Sequence, residues 1–391
     1  MASLNCTKGT IKLWFLYNES EHSLGMQMSS INHYTKDQTA FLKGVGILLI
    51  VLHNFYHNLT PHIGENEFAF AQAVAKNALE TLIHRPGDSL KVLFSYFGHY
   101  GVQLFIFFST YGLTRKYLAK PPTLRCFLAN RFNKIYVSFL LCVALYVTLG
   151  LLKSTFLTHD KVLYWDSLLW KVLLISNFMP GQAMMPVGPW WFMPFIFQVY
   201  LLYPWLLTTY LRYGYRCLAF LAIASLLGEW LLNRYLIANA LNINFTVLGH
   251  LPVLCLGIVM ARQKTIAIPS GGVVAALLLV VLGGIKEGFW LLGDVAITVL
   301  MLAASRLIMT RSLTSLTAKV VIFYGNISFP LFMVNGFLRT PFHQLAESYH
   351  LGWLDNLSAL ASLLFSTLFA FLLQTIDQRL RSALINKAKL G

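Results

Sequence analysis

The stretch KDQTAFLKGVGILLIVLHNFYHNL, residues 36–59, decides the fold class. From Phe41 to Tyr56 it is apolar, apart from Lys43 near one end and His53 and Asn54 near the other. A bilayer core of about 30 Å takes about 20 such residues as a helix, so the stretch reads as a membrane span. Comparable runs recur at 91–114, 131–151, 189–211, 216–233, 244–261, 269–285, 288–306, 319–338 and 355–376, which with 40–59 makes ten. Another apolar stretch, 165–179, is short and bounded by Asp166 and Met179-Pro180-Gly181. It reads as a re-entrant or interfacial segment. Of the 391 residues, 57% are hydrophobic and only 12% charged, and the mean hydropathy is +0.62. A soluble domain carries about 25% charged residues. That contrast excludes a cytosolic enzyme, a disordered chain and a secreted domain. The expected fold is an all-α polytopic membrane bundle.

The formal charge of +15 does not indicate nucleic acid, because the basic residues sit between the apolar runs and act as topology signals. With the N-terminus inside, the inner loops hold Arg115, Lys116, Lys120, Arg125, Arg131 and Lys134, then Arg212 and Arg216, Arg262 and Lys264, and Arg306, Arg311 and Lys319. The tail holds Arg379, Arg381, Lys387 and Lys389. Most acids, Glu65, Glu67, Glu80 and Asp88 among them, fall on the other side. Both termini are therefore expected in the cytoplasm. The chain divides into a polar segment 1–35, with Met26 and Met28 as alternative starts, a membrane domain 36–379 and a basic tail 380–391. The five cysteines form no CxxC pair. They read as small buried hydrophobes, with no disulfide and no metal site.

Ionisable residues inside a membrane are expensive and usually functional. Lys43 lies near the inner end of the first span, and His53 and His57 lie about 15 and 21 Å further along the helix axis. Four residues apart, the two histidines share a face. Arg131 and Lys134 are i,i+3 at the start of the third span and also share a face. With Arg115 nearby they form a cluster suited to a polyanion, through charge-assisted hydrogen bonds. Plain topology and attraction to anionic lipid explain the same charges. Trp190 and Trp191 read as an interfacial aromatic belt. Glu229 and Asp294 are the acids closest to membrane depth, and Glu229 is expected to pair with Arg234. His84 and Asp88 spell an HxxxD motif, but they sit in a Pro-Gly loop without a matching framework.

Taken together, these pieces resemble the membrane acyltransferase-3 family, bacterial O-acyltransferases that modify sugars, over residues 36–376. The opening-span pattern is Lys43-Gly44-Val45-Gly46-Ile47-Leu48-Leu49 leading to His53. GVQLFIFFSTYGL with Ser109 is similar to the second-span pattern. Arg131-x-x-Lys134, Trp191-Phe192 and GNISFPLFMVN ending at Asn335 follow in family order. The chain departs from the family in places. Asn54 stands where the family histidine usually falls, so His53 and His57 are both candidates. Lys43 and Lys134 replace arginines, Asn335 stands where histidine is frequent, and Thr110 replaces a glycine.

The resemblance implies an acyl-CoA co-substrate, most often acetyl-CoA, bound from the cytosol, and no other cofactor. It implies a glycan or lipid-linked glycan acceptor and a bacterial inner membrane. His53 or His57 would be the base, and Lys43, Arg115, Arg131 and Lys134 would hold the CoA phosphates. Ser109, Trp191, Glu229 and Asn335 would line the site. The rival reading is a transporter or flippase of lipid-linked sugars, which predicts inverted repeats; the sequence shows no repeat. A second rival is a structural subunit with decayed chemistry, suggested by Asn335 and Thr110.

Overall fold

The computed structural model describes residues 33–60, 64–118, 122–158, 163–263, 268–309 and 313–390. Among them the regular structure is helical, without strands. In chain order the helices are α1 (Lys36–Tyr56), α2 (Gln72–His84), α3 (Ser89–Phe97), α4 (Gly101–Tyr117), α5 (Leu124–Lys153), α6 (Trp165–Val172), α7 (Phe192–Tyr213) and α8 (Tyr215–Ala238). They continue with α9 (Leu251–Arg262), α10 (Ser270–Gly283), α11 (Glu287–Trp290), α12 (Gly293–Met309), α13 (Leu316–Asn326), α14 (Ser328–Leu338), α15 (Thr340–Tyr349) and α16 (Gly352–Leu390). The arrangement is a helical membrane bundle.

Six stretches are long and apolar enough to cross a bilayer unaided: Lys36–Tyr56, Pro86–Tyr117, Leu124–Phe156, Gly188–Tyr213, Tyr215–Ala238 and Gly352–Ala383. The other four expected runs hold the bent pair α13–α14 and the shorter helices α9, α10 and α12. α6 has eight residues, about 12 Å at 1.5 Å per residue, too short to cross. α9 begins at Leu251, not at 244, because Pro252 suits a first helical turn and residues 243–245 close a 3-10 turn before it.

Local chemistry sets the ends. Thr35 caps α1 through a reciprocal box with Gln38, and Thr123 and Ser315 cap α5 and α13. α13 and α14 meet at 78°. Pro330 lacks the N–H that would bond to the Asn326 carbonyl, and its ring clashes there, so the helix breaks at Ile327.

α1 is the central helix. Gly44 lies against the Val321 carbonyl and Gly325 against the Ala40 carbonyl, so α1 and α13 touch backbone to backbone. On another face Gly101 of α4 meets the Gly46 carbonyl. Phe107, Phe139, Trp190, Phe195 and Tyr203 fill the core between α4, α5 and α7. Large apolar side chains on α8, α10 and α16, among them Phe220, Leu227, Leu278, Leu364 and Phe371, point outward, as a lipid-facing surface requires.

Three expectations are corrected. Trp190 and Trp191 are buried, and the Trp190 indole donates to the Met333 carbonyl at 2.8 Å; packing between α5, α7 and α14 uses them, not the interface. Arg234 pairs with Glu287, because Glu229 faces inward, where its carboxyl meets the Asn244 side chain. Cys126 is disulfide-bonded, whereas Cys142 and Cys255 are buried thiols. The HxxxD motif serves structure: Asp88 lies 3.3 Å from buried Lys91, which also meets Asp355 at 2.6 Å and the Thr60 carbonyl at 2.8 Å.

Candidate active site

The polar residues gather at two places along α1, one at each end. At the C-terminal end, His53 is 2% exposed, and the segment after α1 folds back over it. His53 Nε2 lies 2.8 Å from Glu65 Oε2 and 3.6 Å from Glu67 Oε2. Its Nδ1 lies 3.1 Å from the Phe94 carbonyl. A carbonyl only accepts, so Nδ1 carries the hydrogen and Nε2 is left facing the carboxylates. Gly98 makes room for this: a Cβ there would stand 2.6 Å from His53 Cβ. His57 stacks on His53, with ring centroids 4.8 Å apart and planes 12° apart. Its Nδ1 bonds the His53 carbonyl at 2.9 Å. His99 meets His53 edge-on at 5.5 Å.

The two carboxyls are shifted in opposite directions. Burial pushes Glu65 up, but the pull of His53 outweighs it and holds the carboxyl well below the usual range. Burial pushes Glu67 up, and the Glu65 charge adds to that against the pull of His53. Of the two, Glu65 is thus the one that favours the charged form. Beyond Glu67 lie Asp294, Tyr100 and His250, whose Nδ1 is 3.2 Å from Asp294 Oδ2. Trp191 stacks on His250 at 5.8 Å, and Glu229 completes this second polar patch through Asn244.

At the other end, a cavity of about 530 Å³ opens between α1, α4, α5, α7, α14 and α16. Its cations are Lys43, Lys116, Arg131, Lys134 and Arg381, against the single acid Asp377. Arg381 is committed: it bonds Asp377 at 2.8 Å and the carbonyls of Asn133 and Lys134. Arg131 bonds the Tyr117 hydroxyl at 2.8 Å and lies over the rings of Tyr117, Phe127 and Tyr200. Among the described residues, none of Lys43, Lys116, Arg131 and Lys134 has a carboxylate within ion-pair reach. Four cations without a counterion beside a low-dielectric wall make an anion site. Deeper in, the lining turns apolar through Phe105, Phe108, Phe192 and Phe332, and it ends at Ile50 and Val102. Ile50 is one helical turn below His53, and Val102 one turn from Gly98.

The structure therefore brings Lys43, Ser109, Arg131 and Lys134 into one cavity, and sets His53 beside His57 at the opposite end. Arg115 does not line the cavity. On α4, Ser109, Gly112 and Lys116 share the cavity face at helical spacing, and Arg115 turns toward Tyr111 and His33. Ser109 bonds back to the Phe105 carbonyl at 2.7 Å. Thr110 bonds the Leu254 carbonyl at 2.8 Å and fastens α4 to α9. Asn335 is buried and accepts from Asn54 at 2.9 Å; two of the residues that depart from the family pattern bond to each other. The sequence reading missed Glu65, Glu67, Lys116 and the α16 contributors. For the acids, the one signal was two carboxylates two residues apart just beyond a histidine-bearing helix end.

No curated protein and no solved structure matches the chain. The Acyl_transf_3 model, described as an acyltransferase domain, matches residues 40–375, nearly the whole length and α1 through most of the membrane part of α16, and the chain belongs to that family.

Proposed function

We propose that this protein is an O-acyltransferase of the bacterial inner membrane, with both termini in the cytoplasm. It moves an acyl group, acetyl in the first instance, from cytosolic acyl-CoA to a sugar hydroxyl of a surface polysaccharide or lipid-linked glycan. The observation that carries the reading is the contact of His53 Nε2 with Glu65 Oε2 at 2.8 Å, at one end of a helix whose other end borders the unpaired cations.

The CoA phosphates bind Lys43, Lys116, Arg131 and Lys134. The pantetheine arm follows the apolar lining toward Ile50. As the acceptor hydroxyl binds, the proton shared by His53 Nε2 and Glu65 leaves the site; His53 Nε2 then takes the proton of the acceptor hydroxyl, and the Glu65 carboxylate stabilises the imidazolium that forms. The alkoxide oxygen bonds to the thioester carbonyl, the carbon–sulfur bond breaks, and the His53 proton passes to the departing thiolate. Atoms and charge balance without a further cofactor. A positioned base contributes typically 10²–10⁴-fold.

The test is transfer of label from radioactive acetyl-CoA to extractable glycan in membranes that carry the protein. Label in glycan that depends on His53 supports the reading. If glycan crosses the membrane unlabelled while the protein is active, the transporter reading replaces it.

A further inference from the structure

The base and its neighbours also have the composition of a metal site. One ring nitrogen from each of His53 and His57 and a Glu65 oxygen lie within 4.8 Å of one another, and Glu67 Oε2 is 3.6 Å from His53 Nε2. Both histidines turn Nδ1 to a backbone carbonyl, Phe94 for His53 and His53 itself for His57. That leaves each Nε2 for the site: His53 Nε2 shares a proton with Glu65 at 2.8 Å, His57 Nε2 accepts from the Asn58 amide at 2.8 Å, and a metal replaces both partners. The same outer partner, a carbonyl on the second ring nitrogen, orients metal-bound histidines generally. Histidines at i and i+4 on one helix face bind zinc in helical sites, and two imidazoles with a carboxylate are a zinc donor set.

Tetrahedral zinc with bonds of about 2.0–2.1 Å needs donor atoms roughly 3.4 Å apart. The present donor atoms, spread over up to 4.8 Å, must draw in to bind, and Glu65, on the segment between α1 and α2 and not on a helix, has room to follow. Gly98, packed on His53, keeps the helical pair in place. The Arg339 guanidinium acts on Glu65 from nearby and opposes a cation; the Glu65 and Glu67 carboxylates offset it.

We infer that His53, His57 and Glu65 bind one divalent cation of the zinc class, with Glu67 as the fourth ligand, and that occupancy switches off acyl transfer. The regulatory half rests on the acyltransferase reading. Metal and acceptor proton compete for the same lone pair on His53 Nε2, and binding releases the proton that His53 shares with Glu65.

The experiment uses the full-length protein in detergent micelles, first treated with chelator and then titrated with Zn²⁺ alone in equilibrium dialysis. The expected result is one ion per chain. His57→Ala and Glu65→Gln, each checked for wild-type elution in gel filtration, should weaken binding more than tenfold. His350→Ala, at an exposed position in the turn after α15, should bind as the wild type does. Co²⁺ in place of Zn²⁺ should give the visible absorption of a four-coordinate ion, and His57→Ala should lose it. Stoichiometric binding unchanged in His57→Ala, or no stoichiometric binding at all, overturns the inference. In the transfer assay, micromolar Zn²⁺ should abolish wild-type activity and spare His57→Ala. Transfer that ignores zinc sinks the regulatory half. Zinc binding by a chain that transfers nothing after chelation sinks the acyltransferase reading and leaves the metal site.

Discussion

Glu65→Gln should slow acyl transfer by about tenfold and no more, because Glu67 stands ready to replace the lost charge. The imidazolium formed on His53 faces Glu65 at 2.8 Å and Glu67 at 3.6 Å. At an effective dielectric near 20, unit charges at those separations attract by roughly 6 and 4.6 kcal/mol. These are ceilings, since the Glu65 side chain is 27% exposed. In the native protein burial first, and the Glu65 charge after it, hold the Glu67 carboxyl above its ordinary value. Removing Glu65 takes away its push on Glu67, and the imidazolium then draws charge onto Glu67 across 3.6 Å. The loss is then the difference of about 1.3 kcal/mol, close to one factor of ten in rate. Glu65→Gln with Glu67→Gln leaves no carboxylate and should approach the His53→Ala loss of about 10²–10⁴-fold. The assay is the initial rate of labelled acetyl transfer, with rates normalised to folded protein by gel filtration. A single variant already as slow as the double one would refute the reasoning that Glu67 substitutes. A double variant at full rate would remove the carboxylates from the chemistry.

His53→Ala should abolish transfer with CoA binding intact, whereas His57→Ala should keep transfer within severalfold; the reverse result in parallel assays would move the base one turn along α1. Lys43→Ala, Lys116→Ala and Lys134→Ala should each weaken CoA binding, more so at low salt, and Arg115→Ala should not; equal affinities by calorimetry across all four would make the cavity charges topology signals. Gly325→Ala should destabilise the bundle by about 1–3 kcal/mol through overpacking against the Ala40 carbonyl, read as a lower melting midpoint in detergent. Burial pushes Glu347 up, yet the Thr60 N–H and hydroxyl outweigh it and hold the carboxyl below its ordinary value. That contribution to stability is present above the ordinary carboxylate range and is lost as pH falls through the lowered value. The gap in melting midpoint between wild type and Glu347→Gln should therefore close in acid, and a gap constant with pH would contradict it.

Crossing a bilayer is a property of some 20 consecutive residues, so the ten runs were legible one at a time. The i,i+4 histidines and the i,i+3 pair Arg131 and Lys134 were legible for a similar reason: both lie on single helices. Glu65 and Glu67 were not, because their place beside His53 depends on how an irregular segment folds back, which no periodicity encodes. Lys116 and Arg115 are adjacent in a basic loop and equal in composition; only the rotation of α4 separates them by about 100°. Trp191 has the composition of a belt residue and the position of a core residue, a difference made by α14 and the 243–250 turn packing over it. Arg234 could reach either acid by sequence. Glu287, far along the chain, takes it because Glu229 points into the bundle.

The turn of α1 between Ile50 and His53, closed against α4 at Gly101, has a consequence for fidelity. A thioester is spontaneously hydrolysed, and a charged chamber such as that of Glu65 and Asp294 admits water. Ile50 and Val102 form an apolar partition between that chamber and the donor cavity. On the acyltransferase reading, the acyl carbon waits on the dry side and meets the wet side only when an acceptor occupies it. The partition acts as a valve against futile turnover. Its leak rate, free CoA released per acceptor acylated, should rise when Ile50 is shortened to Ala, even where the transfer rate itself holds.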